Sequence, residues 1–284
     1  MTFDINTLQS GSSYLAERNR WFVVAWSETG LGKSYFSMGF PTPIYILSLE
    51  TDGPFSALRR KVLKDNLNPN EVFITEAWQQ CFDGKPPFIR LQQHYNKMWQ
   101  FCLDWMKGVS EMAPEGTIVI DTASNLWNIC SEVTVEPRKK IAEERNQKFL
   151  QFEWKYANNA FLAPFESLRA TNLNLLMLNH ASEIHNSKGQ STGLYKYHGN
   201  KKALQDADLV VRIGVDQNPK TGGVDRRWLL VEKCRDDNDL IGAVITDVNF
   251  KGVKSMLEGT EIPTERMKIL IGDNYDKTLD EEEE

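Results

Sequence analysis

The sequence predicts an α/β fold built on a mostly parallel sheet, and three observations predict it. Short apolar runs recur along the chain with helix-sized gaps between them, the spacing of strand–helix alternation. The early runs are apolar without alternation, as in strands buried on both faces. Near residues 208–249 the spacing changes to strand, turn, strand, which predicts antiparallel hairpin strands added at the C-terminal side of the sheet.

Taken in order, the strand-like segments are 21–26 (WFVVAW), 43–49 (PIYILSL), 72–75, 117–120 (TIVI), 174–178 (NLLML), 209–213 (LVVRI), 227–232 and 243–248. Residues 91–112 and 146–170 read as helices with aromatic-rich faces. The hairpin turn is placed at 218–223 (NPKTGG), whose Asn, Pro and Gly supply turn chemistry. No internal repeat is visible, and no linker precedes about residue 258. We therefore expect one domain over 1–258 and a C-terminal extension over 259–284 that ends in a disordered acidic tail.

Composition removes several classes. With 41% apolar and 25% charged residues the chain can build a core, which excludes a disordered polymer. No uncharged apolar run approaches the roughly 20 residues of a membrane helix, and the first twenty residues lack the basic and apolar segments of a secretory signal. A cytoplasmic protein without membrane contact is the expectation. Cys81, Cys102, Cys130 and Cys234 never form C-x-x-C, so we expect free, buried thiols rather than a disulfide frame or zinc site. Most of the eight tryptophans are expected in packing.

The net charge of −6 is uneven. Six acids and one lysine fall in 276–284, so the rest of the chain is close to neutral and can carry local basic patches. The terminal DEEEE block has two readings. One is a solubilising tail, the other a decoy that competes with nucleic acid for a basic groove or docks a partner.

The strongest motif is Ser27, Glu28, Thr29, Gly30, Leu31, Gly32, Lys33 and Ser34, followed by Tyr35. It matches the P-loop pattern G-x-x-x-x-G-K-[ST] except that Ser27 replaces the first glycine. An apolar strand precedes it and a short helix can follow. Gly30 and Gly32 allow successive backbone N–H groups to face phosphate oxygens at a helix N-terminus. Lys33 is placed to reach the β- and γ-phosphates of ATP, and Ser34 to ligate Mg²⁺. Asp121, ending the run 117–120, is placed as the second Mg²⁺ residue, as on a Walker B strand. Glu50 ends the strand after the motif. The carboxyl ends of parallel strands face the ligand crevice, so Glu50 can orient and deprotonate water there; Asp52 is the competing carboxylate.

A P-loop, a glutamate ending the next strand, and an apolar strand ending in Asp121-Thr122 resemble the RecA/RadA recombinase-type ATPase core. The closest resemblance is to the compact RecA-like ATPases of phages that accompany single-strand annealing and recombination genes. It covers about residues 20–250. It implies that His180, after the run 174–178, senses the γ-phosphate, where recombinases usually carry Gln. It implies that the acid-free stretch 184–205 is a long DNA-binding loop, with Lys188, Tyr195, Lys196, Tyr197, Lys201 and Lys202 contacting single-stranded DNA by charge and stacking. It also implies that Lys233 and Arg235, at i and i+2 on one strand face, reach the nucleotide of a neighbouring subunit. Arg138, Lys139 and Lys140 follow the Walker B strand where the family has its first DNA loop; with Glu136, Glu143 and Glu144 beside them, a solvated helix start is the other reading.

The expected activity is Mg²⁺-dependent ATP hydrolysis by a ring- or filament-forming protein acting on single-stranded DNA in phage-type recombination, annealing or replication, in the host cytoplasm if phage-encoded. A second reading is a nucleotide-switched module that recruits a single-strand-binding or other replication protein through the acidic tail. A kinase fits less well, because no acceptor site or lid is apparent.

Overall fold

The computed structural model describes residues 20–50, 53–217, 224–246, 250–257 and 265–266. The acidic tail, Asp52 and the turn at 218–223 lie outside them. Ten strands form one sheet: β1 (Phe22–Ser27), β2 (Ile44–Ser48), β3 (Val72–Glu76), β4 (Gly116–Asp121), β5 (Leu173–His185), β6 (Ser191–His198), β7 (Leu209–Gln217), β8 (Val224–Cys234), β9 (Ala243–Ile245) and β10 (Glu265–Arg266). Their order is β10-β9-β8-β7-β1-β5-β4-β2-β3, with β6 beside β5. β7, β1, β5, β4, β2 and β3 pair in parallel. The β8, β9 and β10 additions are antiparallel, as is the β5–β6 pair. Every segment read as a strand contains one, although that at 243–248 is a strand over Ala243–Ile245 and its positions 247 and 248 lie outside the described residues; the pairing of Glu265–Arg266 with β9 carries the sheet past residue 258.

The apolar runs are explained by burial on two sides. Along β1, Phe22, Val24 and Trp26 enter one core while Val23 and Ala25 enter the other. The first core is capped by the long helices α4 (Gln92–Met112), α5 (Ala123–Thr134) and α7 (Trp154–Leu168), through side chains such as Met98, Leu126 and Phe161. The second is capped by α1 (Lys33–Ser37), α2 (Phe55–Asp65) and α9 (Phe250–Leu257); Phe40 stacks on Phe250 with ring centres 4.0 Å apart. Short α3 (Ala77–Cys81), α6 (Glu136–Glu144) and α8 (Lys201–Asp206) complete the helices among the described residues. All four cysteines are free and buried, and Trp26, Trp78, Trp99 and Trp228 are core residues. Among the described residues no helix is long and apolar enough to cross a membrane.

Two expectations need correction. The helix expected over 146–170 begins only at Trp154, after a 3₁₀ turn, because Asn146 takes a left-handed φ of 51° that ends α6. The stretch 184–205 is no loop. β5 runs on past the sheet edge to His185, turns at Asn186–Gly189, returns as β6, and passes into α8. Asn186 Oδ1 closes that turn by accepting the N–H groups of Lys188 and Gln190 at 3.0 and 2.9 Å.

Candidate nucleotide site

The carboxyl ends of β1, β2, β4 and β5 bring the site together. β1 delivers Ser27 and the loop after it, which turns through Gly30 at φ 82° and Gly32 at φ 109°. At both positions a side chain would be strained, and Gly32 is the residue from which α1 starts. β2 leads into Glu50, β4 ends at Asp121, and β5 carries His180, paired in register with Ser27. A cleft of about 580 Å³ opens over these residues, walled by α2 (Ser56, Ala57, Arg60, Lys64) and by Arg227 and Thr246.

Lys33 is 6% exposed, and its ammonium folds back onto the Ser27 carbonyl (3.2 Å), Ser27 Oγ (3.3 Å) and the Glu28 carbonyl (3.0 Å). Burial pulls its pKa down, opposed by the charges of Asp121, Glu50 and Glu28. Ser34 Oγ donates to Asp121 Oδ2 at 2.9 Å, so the two residues expected to share Mg²⁺ already touch. Burial, and then the nearby Glu50 charge, push Asp121 up to about 6. A buried carboxylate of that kind beside a hydroxyl is a hard oxygen pair that a divalent cation would neutralise, so the residues fit Mg²⁺. Among the described residues no cluster of three or more His, Cys, Asp or Glu can hold a metal by itself.

His180 Nε2 stands 2.7 Å from Glu50 Oε1. This hydrogen bond is the first cause holding the Glu50 carboxyl below its ordinary range, against burial. The His180 N–H donates to Ser124 Oγ at 2.8 Å, while its buried Nδ1 has no hydrogen-bond partner. The hairpin touches the motif a second time. Tyr195 on β6 lies close enough to the Glu28 carboxylate for that acid to raise the tyrosine pKa.

The other sequence-predicted residues fall into two groups. Lys188, Lys196, Lys201 and Lys202 are exposed on the hairpin and on the first turn of α8. Tyr197 is turned inward instead. Its hydroxyl bonds Asn179 Oδ1 and the Asn200 carbonyl, both at 3.3 Å, and its ring meets Trp26 edge-on at 6.5 Å, so its faces are spent on packing. Arg138, Lys139 and Lys140 lie in α6, the solvated-helix reading, with Lys139 paired to Glu136 at 2.5 Å and Arg138 over Tyr156. Lys233 and Arg235 sit at the end of the sheet away from the motif, because β8 runs against β7. Lys233 donates to the carbonyls of Leu204, Gln205 and Ala207, and Arg235 pairs with Asp208 at 2.9 Å.

Three cations of the cleft escaped the sequence reading: Arg60 and Lys64 on α2, and Arg227 on β8, whose Nη1 donates to the Leu31 carbonyl at 2.8 Å. No local motif marks them. The predicted hairpin does carry one usable signal, since a strand antiparallel to β7 must start, not end, at the nucleotide edge.

This strand order and this edge define an α/β P-loop domain built on a mostly parallel sheet. The family model described as an AAA domain matches residues 19–236, and the chain belongs to that family. Among solved structures, a KaiC-like protein, PH0186, from the archaeon Pyrococcus horikoshii is 13% identical, with a TM-score of 0.41 over 77% of this chain and 81% of its own. An ATPase from the type III secretion system of pathogenic bacteria is 9% identical, with a TM-score of 0.40 over 72% of this chain and 55% of its own. No curated protein matches the chain.

Proposed function

We propose that the chain hydrolyses ATP with Mg²⁺ and acts, as a ring or filament of like subunits, on single-stranded DNA in phage-type recombination, annealing or replication. The observation that carries the hydrolytic part is the convergence of Lys33, the Ser34–Asp121 contact and the Glu50–His180 pair on one cleft. The backbone N–H groups at Gly30–Lys33 and the Lys33 ammonium bind phosphate oxygens, for which Lys33 leaves the carbonyls of Ser27 and Glu28. Ser34 and Asp121 would hold Mg²⁺, which would offset the negative charge of the phosphates in the transition state. Glu50 is ionised and orients the attacking water, accepting its proton as the general base. His180 restrains the Glu50 carboxylate and can donate to a γ-phosphate oxygen in its place.

The DNA part is supported by the link between this cleft and the hairpin. His180 begins the β5 overhang and Tyr195 returns to Glu28, so both strands of the arm that carries Lys188 and Lys196 touch the nucleotide edge.

ATP turnover with and without single-stranded DNA tests the reading, with filter binding of the same DNA in parallel. Lys33→Ala should lose at least about 100-fold in turnover while melting like wild type. Glu50→Gln should bind ATP and lose roughly 10²–10⁴-fold in hydrolysis. Full turnover in either variant would remove the assignment of that residue, and absence of DNA binding with and without ATP would remove the DNA part.

A further inference from the structure

β8 starts at the nucleotide edge, and Arg227 lies in its first turn of register, opposite Val215 of β7. From there the side chain crosses to the P-loop, 196 positions away in sequence. Its Nη1 donates to the Leu31 carbonyl at 2.8 Å, and a Cβ built on Gly32 would stand 3.0 Å from the same nitrogen. Two adjacent loop positions therefore receive one guanidinium: Leu31 by its carbonyl, Gly32 by having no side chain. A guanidinium has five N–H donors in a planar fork. One is used on Leu31, and among the described residues no other hydrogen bond or ion pair takes the rest. The group lines the cleft with Lys33 and Ser34. A planar cation with spare donors at a P-loop suits a phosphate better than a carbonyl, because charge-assisted, forked contacts are the stronger kind.

We infer that Arg227 is a second phosphate-binding cation of the nucleotide site, supplied by the same chain as the P-loop. This rests on the reading of the cleft as an ATP site. The Leu31 carbonyl keeps Arg227 against the loop, as the Ser27 and Glu28 carbonyls keep Lys33. With nucleotide bound, the remaining donors of Arg227 face phosphate oxygens. The extra cation thus comes in cis from the start of β8.

Equilibrium titration with fluorescent ATP and ADP analogues, using wild type, Arg227→Lys and Arg227→Gln, separates charge from hydrogen bonding. Gln retains a donor for the Leu31 carbonyl but no charge; Lys retains the charge. Arg227→Gln should bind both nucleotides roughly 10–100-fold more weakly, the range of one to two charge-assisted hydrogen bonds. Arg227→Lys should recover a substantial part of that loss. Equal affinities in the two variants would overturn the inference and leave Arg227 as a strut for the loop. So would wild-type affinity in Arg227→Gln. Failure of the wild type itself to bind either analogue would instead defeat the ATP reading, and this inference with it. Mixing Arg227→Gln with Lys33→Ala subunits tests the cis assignment. No recovery of turnover is expected, because each chain lacks one part of its own site, and rescue on mixing would overturn it by showing that Arg227 serves a neighbour.

Discussion

The two ends of β8 carry the same charge into different work. At its start, Arg227 reaches the loop that lines the cleft and spends one donor on the Leu31 carbonyl. At its other end, Lys233 and Arg235 meet a helix C-terminus. Lys233 donates to three carbonyls around the end of α8, and Arg235 donates to the Asp206 carbonyl while pairing with Asp208. The last carbonyls of a helix lack intrahelical partners and carry partial negative charge, so cations settle there for structural reasons. Residue type therefore does not tell at which end of the sheet a cation lies. Strand direction does, because it decides which end of the sheet a side chain reaches.

The contrast breaks if the far end proves to be functional. The largest effect there is expected from Arg235. Its partner Asp208 is 7% exposed and also accepts the Phe22 N–H at 3.0 Å, so the pair ties β8 to the start of β1. Arg235→Ala takes from that carboxylate its cation at 2.9 Å, while Arg169 stands farther off at 3.9 Å. A loss of roughly 2 kcal/mol is expected, less than for a fully buried pair because the guanidinium is partly solvated. Urea unfolding should show it, while nucleotide affinity stays within about twofold of wild type. A folded Arg235→Ala protein with normal stability and no turnover would reverse the assignment and restore a role at a neighbour's nucleotide.

Lys233→Met keeps the aliphatic stem and removes the donors to Leu204, Gln205 and Ala207. About 1 kcal/mol should be lost, the scale of a cation at a helix C-terminus. Hydrogen exchange would sharpen the comparison, since faster exchange should be confined to α8 and the start of β7. Faster exchange in the P-loop would show that the two ends of β8 communicate.

Much of this was legible in the chain. The runs 21–26 and 117–120 specify central strands because no polar residue interrupts them, and each is sandwiched between two cores. Lys33, Ser34 and Asp121 were legible because the P-loop and Walker B patterns are local, and their meeting follows from parallel register: β4 and β1 both pair with β5. The hairpin arm was missed for a different reason. A run without acids and with four lysines reads as a mobile loop. Yet Thr192, Leu194 and Tyr197 are partly buried while Ser191, Gly193 and Lys196 are exposed, close to a strand's alternation. Arg227 left no trace because its contact is long-range and depends on which way β8 runs.

The smallest effect concerns Glu232, next to Lys233 near the far end of β8. Its Oε2 accepts the Trp26 indole N–H at 2.6 Å, on the strand that leads into the P-loop. Burial pushes its pKa from 4.5 up to about 7, opposed by that hydrogen bond and by the charge of Arg212, whose guanidinium lies 4.9 Å over the Trp26 ring. A carboxyl whose folded pKa is raised is favoured in the protonated form. The protein therefore loses stability as pH rises from about 4.5 through 7, and the penalty is complete above that. Glu232→Gln keeps an acceptor for Trp26 and has no proton to lose. Its stability relative to wild type should climb across the same window and level off near pH 8, with a gain there of up to about 1 kcal/mol, in line with removing an imperfectly paired buried charge. Urea midpoints at pH 5, 6, 7 and 8 would show the slope. A difference that stays flat with pH would mean that Glu232 is ionised throughout, paired with Arg212. Glu232 would then be a third place on β8 where charge is fixed by a partner rather than suppressed by burial.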